Sequence, residues 1–213
     1  VITRWIQAGT AVLACVLTLA ACGSGPGPRT PVDDGRGPLS FVGGSGGQSI
    51  YEPKHAQDGW YATFAFEPCR NGTGHTLILE DLRTTTSSGA AVADVWWRHV
   101  PDVAGRVGGT TDEWDPFAST KGYPGHWNET QFRGTFAHGI AGRSVTDSCT
   151  ADVVADAFDS VIIALRVPPI GIMVKNFTVT YTDNGETKTL QVPWKLVGCG
   201  SSITDPEWCN PDA

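Results

Sequence analysis

Six cysteines, five histidines and a few paired acids are the residues of this chain whose chemistry could reach beyond packing. The cysteines stand at Cys15, Cys22, Cys69, Cys149, Cys199 and Cys209, and no two of them form the Cys-x-x-Cys pair that structural zinc sites favour. His55, His75, His99, His126 and His138 are scattered, without the His-x-x-x-His spacing that sets two imidazoles on one helical face. His126 and His138 could meet across a sheet or a loop and hold a metal. Surface or hydrogen-bonding roles are commoner for histidine, so no metal or other cofactor is expected. Glu80-Asp81 and Asp112-Glu113 could supply the acid and base of a glycosidase. Adjacent acids on a strand point to opposite faces, however, and acids in loops are mostly solvated. Gly43-Gly44-Ser45-Gly46-Gly47 matches the Gly-x-Ser-x-Gly pattern of hydrolases, which needs a strand before the serine and a helix after it. Neither flank is there, and Ser45 is not assigned as a nucleophile. Asn71, Asn128 and Asn176 open Asn-x-Thr triplets, but asparagine is common in turns and these carry no functional assignment. No catalytic residue emerges.

Cys22 is different, because its surroundings have a mechanism. Arg4 is the only charge in the first 28 residues, and the apolar run from Ala11 to Ala21 follows it. This is the layout of a secretory signal peptide. The run is too short to cross a hydrocarbon core of roughly 30 Å, which needs about 20 residues. Leu19-Ala20-Ala21-Cys22 resembles the lipobox of bacterial lipoproteins, in which a leucine and two small residues precede the cysteine that receives diacylglycerol. The resemblance implies a signal peptide over residues 1–21, lipidation at Cys22 and a location on the outer face of the cell membrane. An ordinary signal peptide cleaved near Ala21 is the alternative.

Without Arg4, fourteen basic residues face 22 acidic ones, a formal net charge of −8. Such a chain is not drawn by its net field to nucleic acid or to anionic headgroups, so no nucleic-acid partner is expected. Membrane attachment then has to come from acyl chains, at about 0.8 kcal/mol per buried methylene. Beyond Cys15 and Cys22 an even set of four cysteines remains, which in an exported chain implies two disulfides. Three connectivities are open. Cys199 with Cys209 and Cys69 with Cys149 is favoured, since the first closes a short C-terminal loop and the second constrains a long one.

The elements that must position these groups are strands. Residues 22–49 are rich in glycine, proline and serine and suggest a flexible tether. Residues 50–213 then suffice for one domain. Trp60-Tyr61-Ala62-Thr63-Phe64-Ala65-Phe66 puts Trp60, Ala62, Phe64 and Phe66 on one face at period two. His75–Leu82 is a second run. In the third, Ala91, Ala93, Val95 and Trp97 face a core while Asp94, Trp96 and Arg98 face out. Ser160–Val167 is an apolar run stopped by Pro168-Pro169. From Val174 to Tyr181 the chain alternates, with Met173, Phe177, Val179 and Tyr181 inward. Asp183-Asn184-Gly185 makes a tight turn, and Leu190, Val192 and Trp194 face in on the return. Thr150–Asp159 has helical spacing and is left open between a short helix and none. About seven strands, turn-rich links and two disulfides predict an all-β, immunoglobulin-like β-sandwich. The ending Phe177 to Gly185, then Val192-Pro193-Trp194, resembles the last hairpin of Ig-like domains in exported actinobacterial proteins, a resemblance that implies fold and no activity.

One stretch lacks strand periodicity: Pro101 to Gln131, with Trp114, Tyr123 and Trp127. A loop of this length in a compact domain is commonly functional. Its rings, with the outward Trp96, are the candidate ligand-binding residues, the alternative being that they cover an edge or end of the sandwich. Two functions follow. The first and preferred one is a non-catalytic binding or structural module, membrane-attached by its lipid, whose partner is an envelope glycan or protein. The other is a glycan-directed envelope hydrolase using acids or histidines of residues 101–131.

Overall fold

The computed structural model of the chain describes residues 32–33, 35–42, 47–51, 59–72, 74–86, 89–91, 93–101, 120–127, 132–149, 157–203 and 209. Among them run thirteen strands. They are β1 (Leu39–Val42), β2 (Gly47–Ile50), β3 (Trp60–Arg70), β4 (Leu77–Thr86), β5 (Gly89–Ala91), β6 (Ala93–Val100) and β7 (Thr120–Lys121), then β8 (Thr135–His138), β9 (Arg143–Val145), β10 (Phe158–Val167), β11 (Ile172–Asp183), β12 (Glu186–Val192) and β13 (Lys195–Gly198). One sheet has the order β1-β3-β10-β6-β8, with β7 beside β3. The other has the order β2-β13-β11-β4-β5, with β12 on β11 and β9 on β4. Every pairing of these strands is antiparallel except β2 with β13.

This is an all-β sandwich with the strand order of immunoglobulin domains. β1, β3, β10 and β6 form the ABED sheet; β12 with β13, β11 and β4 form the GFC sheet. The expected seven strands are all present, the first and last each split in two, and β5, β7, β8 and β9 are additions.

The inner faces follow from alternation. Trp60, Ala62, Phe64 and Phe66 of β3, Trp97 of β6, and Val161, Ile163, Leu165 and Val167 of β10 enter the main core. They meet Leu77, Leu79 and Leu82 of β4, Phe177, Val179 and Tyr181 of β11, and Leu190 and Val192 of β12. Phe66 stacks on Phe177 at 5.4 Å between centroids, with Trp194 5.0 Å from Phe66 and Phe41 edge-on to Phe177 at 5.7 Å. An aromatic knot thus joins β3 to β11, the strand pair that antibody domains link by their inter-sheet disulfide. The disulfides here are Cys69–Cys149 and Cys199–Cys209, the favoured pairing.

Three expectations need correction, and one left open is decided in part. The tether does not run to residue 49: Leu39 is fully buried and Phe41 nearly so, β1 pairs with β3, and β2 pairs with β13. The domain therefore begins well before residue 50, with Val32 already bridged to Gln191. Glycine there serves close approach as well as flexibility, since a Cβ on Gly47 would collide with the Lys195 carbonyl of the partner strand. Met173 is only half-buried and Val174 takes its place inside. A register shift against β4 between Val174 and Asn176 adds one residue, so Val174 and Phe177 both face in. Arg98 lies on the outward face of β6 but is fully buried. Phe158 and Asp159, left open to a helix, belong to β10. The leader, Cys22, Ser45 and residues 150–156 lie outside the described residues.

Candidate functional site

The outer face of the ABED sheet is partly covered by the described residues that follow β7 and precede β8, with Trp127 and Phe132 packed on Ala65 and Ile162. Thr63 and Ala65 of β3 lie beside Ala164 and Ile162 of β10, which in turn face Asp94 and Trp96 of β6. Small side chains at three of these positions leave room for rings. β7 brings them by pairing with β3 at Ala62–Lys121 and Thr63–Thr120. The Thr63 hydroxyl donates to the Gly122 carbonyl at 2.5 Å, and the Gly122 N–H donates to the Tyr61 carbonyl at 2.9 Å. A 3₁₀ turn, Pro124–His126, then reverses the chain, with Pro at its first position, where the missing N–H costs nothing.

Tyr123 packs on the outward rings of this face. Its ring lies 4.8 Å from Tyr61, 5.6 Å from Trp96 at 87° and 5.3 Å from His126 at 71°. His138 of β8 meets Trp96 edge-to-face at 5.1 Å, beside Trp96 in the β6–β8 register. Such perpendicular contacts set the positive edge of one ring on the negative face of another. Gly125 is needed for closure, because a Cβ there would stand 2.9 Å from Tyr123 and 3.3 Å from Trp96. The His138 Nε2 and the Asp94 carboxylate are 3.7 Å apart, with side chains 65% and 38% exposed, so this polar end is open to solvent. Partial burial and then the Asp94 carboxylate push the Tyr123 phenol above its usual pKa. The Trp96 indole N–H is buried.

Trp127 does something else. It packs at 4.3 Å on Phe132 and 5.6 Å on Phe136, in a cluster with Ala65 and Ile162. This is the covering role, on a sheet face rather than on an edge or end. The structure therefore gathers three of the four candidate rings, Trp96, Tyr123 and Trp127, together with both His126 and His138. Trp114, Asp112, Glu113 and Asp115 lie outside the described residues. Among the described residues no three potential ligands are placed to hold a metal. Tyr61, Asp94, Phe132 and Phe136 were not candidates from sequence. Tyr61 was detectable as the outward neighbour of Trp60, whereas Phe132 and Phe136 carry no local signal of what they cover.

One step along the sheet is a row of a different character. Ser160 of β10 pairs with Arg98 of β6, and Arg98 with Phe136 of β8; Glu67 of β3 follows Phe66, whose partner is Val161, and so continues the row. Arg98 Nε donates to the Arg133 carbonyl at 2.8 Å, and its guanidinium lies 5.7 Å from Phe136 and 5.9 Å from Phe158. The corner at 146–149 closes the far end. There Arg70 bonds Asp147 and Thr146 through their carbonyls at 2.8 and 2.6 Å, and Cys149 is tied to Cys69. Burial, then the Asp147 carboxylate, raise Glu67 to about 7 against the opposing pull of Arg98. Asp147 is itself raised, by burial and then by Asp159, which binds His99 Nδ1 at 2.8 Å.

No protein-family model, curated protein or solved structure matches this chain.

Proposed function

We propose that this chain is a non-catalytic binding module of the bacterial cell envelope, anchored to the outer face of the cell membrane by lipid on Cys22. It recognises an envelope glycan or protein with the outer face of the ABED sheet. The observation that carries this reading is the convergence of Trp96, Asp94 and His138, on strands, with Tyr123 and the exposed His126 of the adjoining 3₁₀ turn. Aromatic side chains offer large contact area at small entropy cost, and a polar rim beside them adds direction. Sites on strands hold their geometry better than sites on free loops. Two disulfides suit an oxidising compartment, which is consistent with export.

The test is direct. Exposed residues contribute little to folding, so His126→Ala and His138→Ala combined should leave the melting temperature within about 2 °C of wild type. The same protein should lose at least about tenfold in affinity for isolated cell-wall glycan or for a membrane-protein fraction, since one hot-spot contact is worth 1–2 kcal/mol or more. Unchanged binding in this double variant and in Trp96→Ala would reject the face as the site.

A further inference from the structure

A sandwich ordinarily leaves the outer face of its sheets to water, but here that face carries a sealed row of polar groups. Glu67 is 5% exposed, Ser160 1% and Arg98 0%. Arg98 is the pin of the roof, held by the Arg133 carbonyl and flanked by the rings of Phe136 and Phe158. Glu67 is the weak member. Its Oε1 and the Ser160 hydroxyl are both buried with no hydrogen-bond partner among the described residues. A carboxylate in that position forgoes solvation that a neutral carboxyl hardly needs.

The charged and titratable groups around Glu67 come from each element packed there. β6 contributes Arg98 and His99, β10 contributes Asp159 beside Ser160, the 146–149 corner contributes Asp147, and β3 itself contributes Arg70. Asp147 repels an ionised Glu67 and Arg98 attracts it. Arg98 is already engaged with the roof, and the Asp159 carboxylate with His99.

We infer that Glu67 is a proton-operated latch: its neutral carboxyl lets residues 132–134 and the 146–149 corner close on the row it shares with Ser160 and Arg98, and its ionisation draws in water and loosens them. The inference does not depend on what the face binds. With burial and Asp147 holding Glu67 at about 7, above its ordinary 4.5, the closed form keeps a proton that an opened or unfolded form has released. Closure is therefore complete below about 4.5 and is lost as pH rises through about 7.

Amide hydrogen exchange on the full mature chain, corrected for intrinsic rates, tests this. Opening of residues 132–134 and 146–149 should rise at least about tenfold between pH 5 and pH 8 and then level, while β11 stays protected. Glu67→Gln, neutral at every pH, should keep these segments closed throughout. His99→Gln should retain the pH dependence. A pH dependence that survives Glu67→Gln, or one that disappears in His99→Gln, overturns the latch. Carbon-13 titration of the wild-type Glu67 carboxyl decides the matter should the glutamine variant not fold: a midpoint near 7 supports the latch and one below about 5 refutes it.

Discussion

Arg98 sits where alternation turns side chains away from the core, yet none of it meets water. A cation is tolerated there because Arg133 offers a carbonyl, two aromatic rings offer their faces, and Glu67 lies on the same row. Removing such a group leaves its partners stranded and opens a void. Arg98→Ala should cost about 3–5 kcal/mol in denaturant unfolding, and it should push the Glu67 pKa higher still, a shift readable by carboxyl NMR. Trp127 is itself a half-buried part of the cover on this face. Trp127→Ala should cost about 2–3 kcal/mol, less than the 3–5 of a fully buried ring. A change of under 0.5 kcal/mol would remove Trp127 from the cover and return it to the ligand-binding candidates. Tyr123 differs from it in setting its phenol beside the partly exposed Asp94 carboxylate.

At the level of elements, the hairpin of β11 and β12 turns through Asn184 at φ 51° and Gly185 at φ 82°, the left-handed pair that a two-residue turn of matching twist requires. A Cβ on Gly185 would touch nothing, so Gly185→Ala isolates the backbone term and should cost about 1–2 kcal/mol in thermal unfolding. The disulfides separate by loop length. Cys69–Cys149 spans 80 residues and Cys199–Cys209 spans 10. Chain entropy assigns them about 4.5 and about 2.7 kcal/mol, so Cys69→Ala with Cys149→Ala should lower stability more than the C-terminal pair of changes. The long bridge also ties the 146–149 corner to β3. Its loss should loosen the roof as well as the fold, and proteolysis near residues 143–149 would register that.

For the whole molecule, the acidic charge and the docked N-terminal segment bear on where the domain works. Val32 is bridged to β12, and the Asp33 carboxylate accepts from the Gly35 N–H, the Ser40 hydroxyl and the Phe41 N–H. Between a lipidated Cys22 and this docked point lie ten Cα steps, at most about 35 Å of chain. The domain would therefore operate close to the bilayer. Cys22→Ala should move the protein from the membrane pellet to the soluble fraction; a wild-type protein that is already soluble, with a free N-terminus, would refute the anchor.

The amino-acid order by itself determined what depends on neighbours along the chain. The period-two faces of β3, β6, β11 and β12, the Asn184-Gly185 turn and the parity of the cysteines all follow from pleat geometry, φ preference and loop entropy, which act over a few residues or depend only on spacing. Trp97 in and Trp96 out was legible for that reason. Composition was less reliable: glycines around Leu39–Val42 hid an edge strand whose burial depends on β3, and the bulge in β11 moved one inward position from Met173 to Val174. Only the tertiary structure decided what lies on the outer face of the ABED sheet. The roof is set by contacts such as Thr63 to Gly122, 59 residues apart, and by the corner that Cys149 holds against Cys69. Alternation states which way a side chain points; whether it then meets water, another ring or a buried carboxyl depends on which distant segment comes to rest there, and no local pattern encodes that.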